Sequence, residues 1–138
     1  MKIRILLTVI ASISLLVVLN ACSEKDIVNH QDGDYKVTMK NQSGKLIKGE
    51  NDITVEITDD KGNAVDAKDL SVHFMMPAMP PSMPEVNADL GNIKQVSGKQ
   101  GVYTGHVNFE ETCTFQVTVK FKVNDKEFVV QGFSVKSK

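Results

Sequence analysis

The sequence predicts an all-β domain, an antiparallel sandwich of about seven strands. Three observations predict it. Apolar residues recur at every second position in one run after another. Turn-forming residues separate the runs at short intervals. Beyond an apolar N-terminal segment, no stretch has the 3.6-residue period of an amphipathic helix of ordinary length.

The runs follow one another from Asp34. Tyr35, Val37 and Met39 alternate with Lys36, Thr38 and Lys40. Ile53, Val55 and Ile57 alternate with Thr54, Glu56 and Thr58, after a turn at Ser43-Gly44. Such alternation marks strands with one buried face. Asp59-Asp60-Lys61-Gly62-Asn63 is a turn by residue type; it lacks the ligand spacing and closing Glu of a calcium loop. Leu70 to Met76 places Val72, Phe74 and Met76 on one face, with Ser71, His73 and Met75 on the other. Glu85 to Leu90 is a weaker strand. In Val102 to Phe109, Tyr103, Val107 and Phe109 share a face with Gly105. From Thr112 to Val123, Cys113, Phe115, Val117, Val119 and Phe121 point one way. Asn124-Asp125-Lys126 closes a hairpin. Phe128 to Val135 returns, with a bulge expected at Gly132, where the alternation slips. The architecture expected is immunoglobulin-like. A closed barrel has the same strand signature and is the structural alternative.

The N-terminus has the three parts of an export signal. Lys2 and Arg4 supply positive charge, and Ile5 to Leu19 is an apolar run broken only by Thr8, Ser12 and Ser14. The run is shorter than the roughly twenty residues of a bilayer-spanning helix. Leu19-Asn20-Ala21-Cys22 resembles the lipobox of bacterial lipoproteins, in which the Cys thiol takes a diacylglycerol and cleavage occurs before it. Residues 1–21 are therefore expected to be a signal peptide, and Cys22 the lipid-bearing first residue of an envelope protein outside the cytoplasm. Ser23, in place of Asp, favours the outer membrane if the cell has two. Residues 22–33, polar and acidic, read as a tether, with His30 solvated in it. Residues 34–138 read as the domain.

The mature chain would have 117 residues, enough for one domain. Its charge is −3, from 14 Lys and no Arg against 17 acidic residues. No basic block suggests nucleic-acid binding. With Cys22 lipidated, Cys113 has no disulfide partner, and its phase makes it a small buried apolar residue. His106 should face outward and be solvated. No phosphate loop, zinc-protease helix or nucleophile elbow occurs, and nothing supports an enzyme.

One segment bears chemistry: His73-Phe74-Met75-Met76-Pro77-Ala78-Met79-Pro80-Pro81-Ser82-Met83-Pro84. It holds four of the five Met residues of the mature chain and all four Pro. The prolines forbid a helix, so the segment is an extended, stiff loop leaving a strand. Thioethers are soft donors that select Cu(I). Met79 and Met83, then Met75 and His73, are the candidate ligands, while Met76 is in phase with the core. Three readings fit these residues: packing as core or lid, a Cu(I) site, and a docking patch for an envelope protein.

Residues 34–136 resemble the YtkA-like family, which is related to FixH-type proteins. Met76-Pro77-Ala78-Met79 is similar to its Met-Pro-x-Met, with Met83-Pro84 soon after. Gly101-Val102-Tyr103-Thr104-Gly105 is similar to its Gly-x-Tyr-x-Gly. Asp60-Lys61-Gly62-Asn63-Ala64-Val65 is similar to the last six positions of its D-x-x-G-x-x-V turn. The chain departs from the family where Pro80, Pro81 and Ser82 replace a His after the Met motif, and where Thr112, Cys113 and Phe115 stand in the place of a Gly-x-Trp. The resemblance implies a small extracytoplasmic β-sandwich and copper handling, near efflux or oxidase assembly systems. His73 would then stand in for the missing loop His.

The lipobox reading makes a direct prediction. Mass spectrometry of the mature protein should find an acylated Cys22 as its first residue. A mature chain that begins elsewhere, or keeps residues 1–21, would rule it out.

Overall fold

A computed structural model describes residues 23–138. The expected signal peptide and Cys22 lie outside the described residues. The fold is an all-β sandwich of two antiparallel sheets. Its strands are β1 (Lys25–Asp32), β2 (Tyr35–Asn41), β3 (Gly49–Asp59), β4 (Lys68–Met76), β5 (Val86–Asp89), β6 (Gly91–Gln95), β7 (Val102–Phe109), β8 (Thr114–Val123) and β9 (Lys126–Lys136). One sheet has the order β1-β2-β3-β7-β6, the other β5-β4-β8-β9. The two sheets are separate, so the barrel alternative falls away.

The alternating runs form strands in the expected phase. Val37, Met39, Ile53, Val55 and Ile57 of the first sheet are buried, as are Val72, Phe74, Met76, Phe115, Val117, Val119 and Phe121 of the second. Phe109 joins the sheets at one end. Its ring lies 4.6 Å from Phe115 and 5.2 Å from Phe74. The bulge falls at Gly132, where φ is +86° and the β8–β9 register shifts.

Two strands were not expected. The stretch read as a tether is mostly strand. Lys25–Asp32 pairs along β2 from Lys25↔Asn41 to Asp32↔Tyr35. The domain therefore begins at Lys25, not Asp34. A register irregularity between Asp26 and Val28 breaks the alternation in this strand, which hides it from a period-two search. His30 is not a solvated linker residue. Its ring stacks 4.8 Å from Phe133, and Nε2 donates to the Gln131 carbonyl at 3.0 Å. These contacts draw β1 against β9 and close that side of the sandwich. The other addition is β6, an edge strand whose only partly buried aliphatic residue is Ile93.

β5 and β6 form one length of chain that changes sheet. β5 pairs with β4, and β6 pairs with β7. The residue between them is Leu90, which is buried, and its N–H donates to the Val72 carbonyl at 2.9 Å. Its side chain fills the space over Gly105, where a Cβ would come within 2.5 Å of Leu90 Cγ. Gly101 is equally constrained: φ is +74°, and a Cβ would meet the Ile57 carbonyl oxygen at 2.8 Å. Between the two glycines, the buried Tyr103 hydroxyl accepts from Ala67 N–H and donates to Ala67 C=O, each at 2.8 Å. The Gly-Val-Tyr-Thr-Gly segment thus fastens β7 to the β3–β4 connection and to the sheet-switching strand.

In urea unfolding, Gly105→Ala should cost about 1–3 kcal/mol by overpacking, and Leu90→Ala about 2–5 kcal/mol by leaving a cavity. The double variant should cost clearly less than the sum, because the new methyl enters the vacated space. Full additivity would refute this packing.

Candidate functional site

The Met/Pro segment leaves β4 at Met76. That side chain is 3 % exposed in the core, while Met75 lies half-buried on the outer face. The chain then folds back on itself. Met79 N–H donates to Met83 C=O at 2.8 Å, and Met83 N–H donates to Met79 C=O at 3.1 Å. Reciprocal bonds of this kind define a hydrogen-bonded antiparallel pair, with Cα atoms about 5.5 Å apart and both side chains on one face. The Pro80-Pro81-Ser82 turn needs no donors from its prolines. Met79 is 56 % exposed and Met83 42 %. The two leading candidate ligands therefore stand side by side in solvent, on a hairpin closed by its own backbone. Met83 also borders a cleft with Ser82, Glu85, Asn87, Glu110 and Glu111.

His73 and Met75 share the outer face of β4, opposite Asp89 and Asn87 of β5. His73 Nδ1 lies 2.6 Å from Asp89 Oδ1, and Nε2 lies 3.0 Å from Asn87 Oδ1. Asn87 Nδ2 in turn donates to Glu85 at 2.7 Å. Both ring nitrogens are engaged, so His73 could ligate a metal only by releasing one partner. This Glu85–Asn87–His73–Asp89 chain was not anticipated; its only sequence signal is the polar alternation of Asn87 and Asp89 in a weak strand. The span from Met75 to Met79 is at most about 14 Å of extended chain. Among the described residues, no three His, Cys, Asp or Glu side chains form a group able to hold a metal ion.

Other singled-out residues have structural roles. Cys113 is half-buried against the core; its burial, and then the charge of Glu111, push the thiol up. An activated nucleophile needs the opposite shift. The Asp59 carboxylate accepts from the backbone N–H groups of Lys61 and Asn63 and from the Asn63 side chain. Those bonds, led by the Asn63 backbone, hold it below the usual carboxylate range. Asp59, not Asp60, is the aspartate that makes the turn.

A family model described as YtkA-like matches residues 29–120. The chain belongs to the YtkA-like family. The match begins within β1, in agreement with that strand being part of the YtkA-like domain. No curated protein and no solved structure matches the chain. In this YtkA-like domain the Met-Pro-x-Met motif splits its work, with Met76 in the core and Met79 in solvent. The Gly-x-Tyr-x-Gly motif is structural throughout.

His106 is not simply solvated. It projects from β7 between two carboxylates of β3. Nδ1 lies 2.8 Å from Asp52 Oδ1, and Nε2 contacts Glu50 Oε2. The hydrogen bond to Asp52 raises the pKa of the ring above its ordinary value; desolvation opposes this, and the charges of Glu50 and Asp52 add to it. A raised folded-state pKa contributes stability that is complete below the unfolded value, about 6.5. That contribution disappears as pH rises through the folded value. NMR should show His106 titrating above about 6.5, with Asp52→Asn lowering the midpoint. Asp52→Asn should also cost more thermal stability at mildly acidic than at alkaline pH. A cost independent of pH would exclude the linkage.

Proposed function

We propose that this chain is an extracytoplasmic lipoprotein, anchored to a membrane through Cys22, whose YtkA-like sandwich binds Cu(I) as cargo at the Met/Pro hairpin. The observation that carries the copper reading is the Met79–Met83 pair. Two exposed thioethers on one face of a closed hairpin offer soft, uncharged donors at a fixed spacing. Thioethers bind without losing a proton and, unlike thiols, do not oxidise to disulfides outside the cytoplasm. Met75 is the candidate third donor. His73 is the less available one, because Asn87 and Asp89 hold its ring. Zn(II) and Ca(II) gain little from such donors.

A metal-free docking module for an envelope complex is the second reading. The exposure that offers sulfur to copper also offers Met79 and Met83 to an apolar partner.

A Cu(I) titration against a chromogenic chelator tests the proposal. The wild-type protein should withdraw copper, and Met79→Leu/Met83→Leu should lose at least tenfold in affinity, the size of about 1.4 kcal/mol. Leu preserves volume and apolarity, so the fold should hold. Binding carried by thioethers alone should persist into mild acid. If wild type and variant compete equally, or neither takes copper, the docking reading takes its place.

A further inference from the structure

The loops of the sandwich divide between two ends. Lys25 of β1 pairs with Asn41, at the end of β2. The same end carries the β2–β3 loop, the Met/Pro hairpin between β4 and β5, the β7–β8 connection and the C-terminus. Its parts are tied together. A Cβ on Gly44 would come within 2.9 Å of Lys25 Cβ. Lys48 N–H donates to Lys138 C=O, and Lys138 N–H donates to Leu46 C=O, each at 3.0 Å.

Five lysines cluster on one side of this end: Lys25, Lys45, Lys48, Lys136 and Lys138, all exposed. Among the described residues the lysine salt bridges use Lys40 and Lys122, and none uses these five. Of the neighbouring carboxylates, Glu24 accepts from the Thr54 hydroxyl, Asp26 lies 3.9 Å from Lys40, and Glu50 and Asp52 both contact His106; Glu111 is held at this end as well, its carbonyl accepting from the Ser137 hydroxyl. Amid the lysines stands Ile47, 53 % exposed. Its backbone is clamped on both sides by Asn51, which accepts from Ile47 N–H at 2.9 Å and donates to Ile47 C=O at 2.8 Å. The Asn41 side chain likewise holds Gly44 and Lys45. The patch is thus a built surface whose five lysines make no salt bridge among the described residues, on a mature chain of net charge −3.

We propose that this lysine corner, with Ile47 at its centre, docks on the surface of a bilayer rich in acidic phospholipid. Charge complementarity is one argument. The point of attachment is the other, and it rests on the lipoprotein reading. Glu24 is already bound to Thr54, and Cys22 precedes it by two residues, at most about 7 Å of chain. A domain held that closely stays against the membrane, and the end beside the anchor, where Lys25 pairs with Asn41, carries the lysines. Lysines near an acidic surface add attraction that fades within a Debye length, about 10 Å at 0.1 M salt. The acyl chains supply the affinity; the lysine corner sets the orientation.

The orientation has a consequence for the Met pair. The hairpin lies at the same end as the lysines, two to three strand spacings from β9, or about 10–15 Å. Glu85, just before the edge strand β5, flanks it on that far side, and an acidic membrane repels it. The domain would therefore lean on its lysine corner and hold Met79 and Met83 just above the lipid plane.

Vesicle co-sedimentation of residues 23–138 at low salt tests the docking without lipidation or copper. The two sheets of this fragment cover each other's inner faces, and no buried side-chain polar atom among the described residues lacks a partner, so it closes its own core. It should bind phosphatidylglycerol-rich vesicles and not phosphatidylcholine vesicles, and release as salt rises. Lys45→Glu/Lys48→Glu/Lys138→Glu should lower the partition coefficient at least tenfold. Lys61→Glu/Lys99→Glu/Lys126→Glu, which makes the same charge change at the opposite end, should lower it less than twofold, with circular dichroism confirming both folds. Ile47→Ser should weaken binding with the lysines intact. Equal losses in the two triple variants, binding indifferent to lipid charge, or no binding at low salt would each overturn the proposal, while an acylated Cys22 would still stand on its own evidence.

Discussion

The single length of chain that crosses from one sheet to the other at Leu90 is the constraint on which the rest of the structure depends. It is held by a backbone bond to Val72 and by the absence of a side chain at Gly105. Because β6 is locked to β7, the preceding β5 must run beside β4. That pairing sets Met76 opposite Val86 and Met75 opposite Asn87. The connection between Met76 and Val86 then has fixed ends close together, and its prolines and reciprocal Met79–Met83 bonds shape what lies between. The same pairing brings Asn87 and Asp89 onto His73. A methyl group added at Gly105, on the other sheet, therefore bears on the geometry of the exposed hairpin through Leu90.

The motifs shared with the YtkA-like family sort into two physical kinds. Gly101, Tyr103 and Gly105 are demanded by close approach and by a buried hydroxyl that satisfies both backbone groups of Ala67. Burial raises the pKa of that hydroxyl, which keeps it protonated and able to donate. The Asp59 turn is consumed in bonding its own backbone. None of these residues has capacity left for a ligand. Met79 and Met83 are the reverse: the fold does not use their side chains, yet it fixes their backbones.

Strand identity was legible wherever one face is buried, because burial imposes the period of two. The central strands β2, β3, β4, β7 and β8 all show it. It failed at two edges, where only Ile27 and Val28 in β1 and Ile93 in β6 pack partly against the core. A polar edge strand looks like a linker, and so the tether was assigned where a strand lies. The site was half legible. The clustering of Met and Pro marked the segment, and the prolines excluded a helix. They also hid the hairpin, because its closing bonds come from Met79 and Met83 on either side of them. The partners of His73 and His106 were out of reach for a different reason. Asp89 and Asn87 lie 16 and 14 residues from His73, and Asp52 lies 54 from His106; only strand register brings them together.

The two ends of the sandwich divide the labour of the loops. At the end away from the hairpin, Gly33, Gly62, Gly98, Asn124 and Asp125 take positive φ, as tight turns require. The longest connection, between β4 and β5, lies at the other end, with the exposed apolar side chains Ile47, Met79 and Met83. Loops of this kind usually carry function because the scaffold beneath them is rigid. Here the scaffold goes further, since Asn41 and Asn51 clamp one loop and the Met79–Met83 bonds clamp another. Side chains presented by clamped backbones lose less conformational freedom on binding than those on frayed loops. An exposed apolar side chain on a clamped loop is a surface prepared for contact, and this end carries two such loops.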